Sequence, residues 1–192
     1  MGILNVTPDS FSDGGKFTNI NIALDHALKM IDDGAHVIDI GGESTRPGSA
    51  PISVSEECER IIPVIELIKN FNSKITISVD TYKASVAKKA IDAGADIVND
   101  ISGLTFDPDM ISVLSGKDIP VIIMHINGRP KTMQENPIYN DLVNDIRGFL
   151  KCQSKAAEEG GIKNNHIILD PGIGFGKTFD HNFTLLKRLD EI

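Results

Sequence analysis

Three polar side chains, Asp80, Asn99 and Asp170, each follow a short Val- and Ile-rich run, where a buried strand has no packing reason to place them. The runs are residues 75–79, 97–98 and 167–169. A carboxylate and an amide brought to one cavity mouth suit the donor–acceptor edge of a fused heterocycle bearing an amino group and ring N–H donors. Such a pair discriminates, because a wrong ligand leaves buried polar groups unmade at about 1–3 kcal/mol each. Any one Asp could instead cap the following helix, and Asp80 before Thr81-Tyr82-Lys83 does so most readily. Capping is a poor account of all three together. The same run-then-polar pattern occurs at Asn5, Asp39 and His125. His125 opens a polar loop that could hold a structural or an active histidine, and Met124 before it reads as packing, against a flat ligand if one binds.

Two loops add chemistry of a different kind. Residues 41–49, Gly-Gly-Glu-Ser-Thr-Arg-Pro-Gly-Ser, set hydroxyls and backbone amides around one Arg. Gly permits close approach, Ser and Thr donate hydrogen bonds, and Arg clamps bidentately, so the loop suits a phosphate; as a bland alternative it is a tight surface turn. The loop after residues 3–4 offers Asn5, Asp9 and Asp13 as oxygen ligands, a set that fits Mg²⁺ held mostly through water and a substrate diphosphate. Asp and Asn at such places are also ordinary turn formers.

Helices must position these groups. Ala23, Ala27, Met30 and Ile31 share one helical face, ended by Gly34; Cys58, Ile61, Ile62, Ile65 and Ile68 form a second; Val86, Ala87, Ala90 and Ile91 a third. Pro63 predicts a kink or a short leading helix inside the second. Asp107-Pro108 predicts an N-cap and first turn for a shorter fourth helix. Leu142, Ile146, Phe149, Leu150 and Gln153 define a fifth that runs to Gly160-Gly161, and Phe183, Leu186 and Leu189 mark a sixth. Strand and helix therefore alternate through six βα units, with strands too continuous for a half-exposed antiparallel sheet. A doubly wound nucleotide-binding fold wants a Gly-rich turn directly after its first strand, whereas here Gly14 and Gly15 come only at the far end of a long polar loop. The α/β class expected is a (β/α)₈ TIM-type barrel, short by two units against a usual length of about 250 residues. In such a barrel the C-terminal strand ends carry the chemistry.

Bulk properties narrow the partners. The 192 residues suffice for one core-bearing domain, and 41% hydrophobic with 24% charged content is ordinary for a globular protein. A net charge of −8 argues against nucleic acid or an anionic membrane as partner. Cys58 and Cys152 stand apart without a CxxC pattern, which points to a reducing compartment. No basic segment precedes an apolar stretch, and no apolar run approaches the ~20 residues of a membrane span. A cytoplasmic location is the expectation. Neither GxSxG, HExxH nor a Cys/His cluster with zinc spacing is present, so nucleophilic hydrolysis and structural zinc lack support.

Residues 1–15 (Met-Gly-Ile-Leu-Asn-Val-Thr-Pro-Asp-Ser-Phe-Ser-Asp-Gly-Gly) and 39–48 (Asp-Ile-Gly-Gly-Glu-Ser-Thr-Arg-Pro-Gly) resemble the two diagnostic segments of the dihydropteroate synthase family. Ser78-Val79-Asp80-Thr81, residues 99–103, Met124-His125 with Thr132-Met133-Gln134, and residues 170–177 (Asp-Pro-Gly-Ile-Gly-Phe-Gly-Lys) follow in that family's order, so the likeness spans the chain. The resemblance implies a (β/α)₈ barrel that joins p-aminobenzoate to 6-hydroxymethyl-7,8-dihydropterin diphosphate, releasing pyrophosphate. By position it implies that Asn5 is linked to Mg²⁺ and that Thr45 binds the pterin diphosphate. Asp80, Asn99 and Asp170 would hold the pterin ring, with the two Asp favouring its electron-poor state and Met124 lining the pocket. Arg46 and Pro47 would close over p-aminobenzoate, where sulfonamides compete, between walls made by Phe11 and Phe175.

Family members continue with a seventh strand carrying Ser-Arg-Lys and an eighth carrying Arg-x-His. Neither segment occurs in residues 1–192, which therefore read as a single pterin-binding barrel domain incomplete at its C-terminus. The resemblance implies a homodimer, with the dimerising helices expected to be missing from this segment. Two alternatives stay open: a truncated, catalytically inactive pterin-binding product, and a pterin-binding methyltransferase domain, against which both diagnostic loops count.

Overall fold

The computed structural model describes residues 1–7 and 16–192. Strands and helices alternate as β1 (Gly2–Asn5), α1 (Lys16–Asp32), β2 (Val37–Gly41), α2 (Val54–Phe71), β3 (Thr76–Asp80), α3 (Ala84–Asp92), β4 (Ile97–Asp100), α4 (Met110–Leu114), β5 (Val121–Met124), α5 (Leu142–Glu159), β6 (Ile167–Asp170) and α6 (Phe179–Lys187). By its contacts the chain divides into two compact units, one of Met1–Ser44 with Pro51–Asn99, the other of Thr45–Ala50 with Asp100–Ile192. Among the described residues no helix is long and apolar enough to cross a membrane. Cys58 and Cys152 are free thiols, the first buried and the second exposed.

In the first unit β1, β2, β3 and β4 pair in sequence order, each parallel to the next. Side chains alternate between the two faces of a strand, and the composition follows that alternation. Leu4, Ile38, Ile40, Ile77, Val79 and Val98 are buried on one face, where α1 packs on β1 and β2 and α2 packs on β2. The other face carries Asn5, Asp39, Gly41, Ser78, Asp80 and Asn99 toward its C-terminal end, with Ile3, Val37, Thr76 and Ile97 among and below them. Core packing thus uses one face and leaves polar groups on the other.

Helix α2 starts at a sound cap, with Ser53 Oγ accepting from the Glu56 N–H at 3.2 Å and Glu56 and Glu57 in the first turn. It runs through Pro63 as one helix, so of the kink or short leading helix expected there, the separate leading helix does not form. Ile61, Val64, Ile65 and Ile68 lie fully buried on both sides of the proline. Their burial is worth about 6–12 kcal/mol by side-chain area, against about 3 kcal/mol for an interior proline.

Sequence reasoning misplaces the start of α4. Asp107 does not cap it: its Oδ1 accepts from the Asp109 N–H at 3.1 Å and its carbonyl from the Met110 N–H at 3.2 Å. Pro108 and Asp109 are spent in that turn, and the helix begins at Met110.

In the second unit β5 and β6 pair in parallel, Val121 opposite Ile167 and Met124 opposite Asp170. Helix α5 packs on β5 through Val143, Ile146, Leu150 and Ala157, after Asp141 caps it from the Asn144 N–H at 3.1 Å. Helix α6 opens with a reciprocal Thr178–His181 capping box. Its buried residue is Leu185, not the Phe183, Leu186 and Leu189 stripe that the sequence suggests as its face. Those three are at least half exposed, and the Phe179 and Phe183 rings pack on each other at 4.7 Å along that side.

Candidate functional site

Register puts four residues in one row. Asn5 lies opposite Gly41, Gly41 opposite Asp80, and Asp80 opposite Asn99. All four stand at or next to the C-terminal ends of consecutive parallel strands. Gly41 is the low point of the row. A Cβ there would meet Asp80 Oδ2 at 3.3 Å and Asn5 Oδ1 at 3.5 Å, so both side-chain oxygens lean toward the glycine from either side. Asp80 is half-buried and Asn5 exposed. Helix capping does not explain Asp80, since Lys83 occupies the N-cap position of α3.

Asp39, one step below this row on β2, is 5% exposed, and its Oδ2 accepts from Asn99 Nδ2 at 3.0 Å. Burial raises the Asp39 pKa, while the hydrogen bond from Asn99 opposes it. The NH₂ end of Asn99 thus turns to Asp39 and its carbonyl end turns away. Sequence reasoning gave Asp39 no role, although the apolar pair before it was the same signal that singled out Asp80.

The loop after β2 carries Thr45, half-buried, and Arg46 and Pro47, both exposed. The Ser49 hydroxyl and N–H both donate to the Arg46 carbonyl, at 2.7 and 3.1 Å, and so turn the chain at its tip. Phe11, Asp9 and Asp13 lie outside the described residues.

In the second unit the loops after β5 and β6 interlock. The His125 N–H donates to the Asp170 carbonyl at 2.9 Å, and Asp170 Oδ1 accepts from the Gly172 N–H at 2.7 Å. Gly172 has φ +69°, and a Cβ on it would stand 2.0 Å from the His125 carbonyl oxygen. Only glycine fits. Met124 is buried beside Asp170, and Phe175 is half-buried.

The His125 ring packs edge-on to Phe149 at 5.0 Å and tilted to Tyr139 at 5.9 Å. Its Nδ1 lies 3.0 Å from the Nζ of Lys177, which also donates to the Phe175 carbonyl at 2.9 Å. Burial pushes the Lys177 amine down to about 7, with the Asp170 charge opposing. Burial, then the Lys177 charge, pushes His125 down to about 4. A neutral imidazole therefore accepts from the lysine. Lys177, 3% exposed, went unassigned in the sequence, where it merely ends a glycine-rich stretch.

Among the described residues no group of three or more His, Cys, Asp or Glu is placed to hold a metal. Asn5 and Asp80 nonetheless offer two hard oxygens at the Gly41 gap, which fits a cation that keeps most of its water, as Mg²⁺ does.

The family model described as pterin binding enzyme matches residues 1–192. A dihydropteroate synthase of Synechocystis is 50% identical over 192 residues, covering all of this chain and 66% of that protein. Another from Bacillus subtilis is 53% identical over 190 residues, covering 99% of this chain and 64% of that protein. The chain thus spans about two thirds of the length of these curated relatives. A crystal structure of dihydropteroate synthase from Clostridium difficile, in the presence of pteroic acid, superposes with TM-score 0.92 at 48% identity, covering 100% of this chain and 70% of that one. The fold is accordingly that of six βα units of a (β/α)₈ barrel.

Proposed function

The chain belongs to the pterin-binding enzyme family, grouping with its dihydropteroate synthases, and from that membership we propose that it serves dihydropteroate synthesis. The substrates are 6-hydroxymethyl-7,8-dihydropterin diphosphate and p-aminobenzoate, and the products 7,8-dihydropteroate and pyrophosphate. The observation that carries this reading is the row Asn5, Gly41, Asp80, Asn99, three polar side chains about a glycine at parallel strand ends. Asp80 and Asn99 bind the amino and N–H edge of the pterin, with Asn99 turned by Asp39 so that its carbonyl is the reading group. Asp170 and Met124 are assigned to the pterin on the family resemblance alone.

Substitution occurs at the pterin methylene. Its C–O bond breaks, the electron pair leaves with pyrophosphate, and the cation delocalises into the ring. The amine of p-aminobenzoate then forms the C–N bond and loses a proton to solvent. No protein nucleophile is required. The chain's residues hold the ring, keep water out and place carboxylate charge beside the developing cation. Thr45 holds the diphosphate, and Arg46 and Pro47 close over p-aminobenzoate. Asn5 would hold Mg²⁺, which would supply charge neutralisation for the leaving diphosphate. A homodimer in the cytoplasm is the setting this reading carries with it.

The test is incubation of the purified protein with both substrates and Mg²⁺, following pyrophosphate release and the mass of dihydropteroate. Formation of both in equal amounts is expected. Pterin binding without product would leave an inactive binding protein, and no binding at all would overturn the reading.

A further inference from the structure

One buried cation has no part in the reading above. Lys83 lies three residues beyond Asp80, and its Nζ donates to Glu43 Oε2 at 2.6 Å, to Glu57 Oε2 at 2.5 Å and to the Ile52 carbonyl at 2.9 Å. All three ammonium donors are used. The side chains of Lys83, Glu43 and Glu57 are only 13%, 9% and 1% exposed. Burial works against the Lys83 charge, but its hydrogen bonds to the Glu43 and Glu57 carboxylates, and their charge, outweigh it and raise the pKa from its usual value. Glu43 Oε2 also accepts from the Ile52 N–H at 2.9 Å, and its Oε1 from the Tyr82 hydroxyl at 2.6 Å. Next to it the Gly42 carbonyl accepts from Arg60 Nη1 at 2.7 Å.

Glu43 and Ile52 are the two ends of the β2–α2 loop. Lys83, Glu43 and Ile52 close a ring of hydrogen bonds across its neck, and residues 44–51 leave and return through that ring. A buried ion pair adds little stability over apolar packing of the same volume. Three directed donors, however, fix where a carboxylate and a main-chain carbonyl sit, which an apolar side chain does not. We infer that Lys83 is a positioning residue that clamps both ends of the loop bearing Thr45, Arg46 and Pro47, holding Arg46 ready for an anionic substrate. The substrate part of this inference rests on the proposed function; the clamp does not.

Lys83→Met and Glu43→Gln in the purified protein separate the two. In hydrogen exchange, either substitution should speed the amides of residues 44–52 by about tenfold or more, leaving 76–80 and 97–99 at wild-type rates. Affinity for p-aminobenzoate should fall about tenfold, while affinity for 6-hydroxymethyl-7,8-dihydropterin, which lacks the diphosphate, stays within a factor of about two. Unchanged exchange at 44–52 in a folded variant overturns the clamp. Equal weakening of both ligands overturns the positioning role and leaves a merely structural one. A wild-type protein that binds neither ligand defeats the proposed function, and the exchange data still decide on Lys83. Should Lys83→Met fail to fold, Glu43→Gln carries the same comparison.

Discussion

Asp100 offers a sharp test of the electrostatics, because its charge and its hydrogen bonds pull in opposite directions. It is fully buried, with Oδ1 accepting from the Ser102 N–H at 2.7 Å and the Ser102 hydroxyl at 2.6 Å, and Oδ2 from the Leu104 N–H at 3.2 Å. Burial outweighs those three bonds and pushes its pKa from 3.8 up to about 6. Between those values the native protein holds a proton that the unfolded chain has lost, so this group's stabilisation is full below pH 3.8 and disappears as pH rises through 6. A shift of that size is worth about 3 kcal/mol. His125 acts in the opposite sense: its pKa falls from 6.5 to about 4, so its contribution is lost as pH drops across nearly the same window. In the wild type the two slopes largely cancel. Asp100→Asn removes one of them. Urea unfolding of both proteins from pH 3.5 to 7 should show the wild type losing about 3 kcal/mol relative to the variant on going up in pH. A pH-independent difference, or one that favours the wild type as pH rises, would refute the argument that burial dominates at Asp100.

Other perturbations follow from the same coordinates. Lys177 titrates near 7 in the native protein against 10.5 unfolded, so wild type should gain stability over Lys177→Met as pH climbs from 7 to 10.5; a flat difference in chemical denaturation would contradict this. Gly172→Ala places a methyl against the His125 carbonyl at φ +69°, and thermal unfolding should register a loss of about 3 kcal/mol or more; a wild-type melting temperature would show that the loop relaxes freely. Asp39→Asn frees the Asn99 amide to rotate, and pterin affinity by fluorescence titration should drop about tenfold; no change would mean that Asn99 is held by something else.

Strand ends were the most legible feature of the sequence, because an apolar run that stops on Asp or Asn records a change from packing to chemistry. Asn5, Asp80 and Asn99 share one register row for that reason. Period alone did not reveal that β2 and β3 alternate, with Ile38, Ile40, Ile77 and Val79 on the helix side and Asp39 and Ser78 behind them. Asp39 showed the same strand-end signal as Asp80, and what the sequence did not show was its meeting with Asn99 across two strands. Lys83 and Lys177 were invisible for another reason. Each is defined by partners far away in sequence, Glu43 and Glu57 for one and His125 for the other, and no local pattern encodes such a meeting. Helix boundaries erred where side chains competed for the backbone. Asp107 was taken by its own turn, and at Pro63 buried isoleucines on both sides outweighed the proline. The Phe183, Leu186, Leu189 stripe has helical spacing, yet periodicity does not say which stripe a neighbour covers, and Leu185 is the residue that is buried.

The central claim is that side chains at parallel strand ends read a pterin ring, and calorimetric titration of 6-hydroxymethyl-7,8-dihydropterin diphosphate with Mg²⁺ into wild type and Asp80→Asn addresses it most directly. Replacing an acceptor oxygen with an NH₂ group that faces the ligand's own donors should weaken binding by about ten- to a hundredfold. Equal affinity in the two proteins would mean that the row at Asn5, Gly41, Asp80 and Asn99 is not where the ring is held.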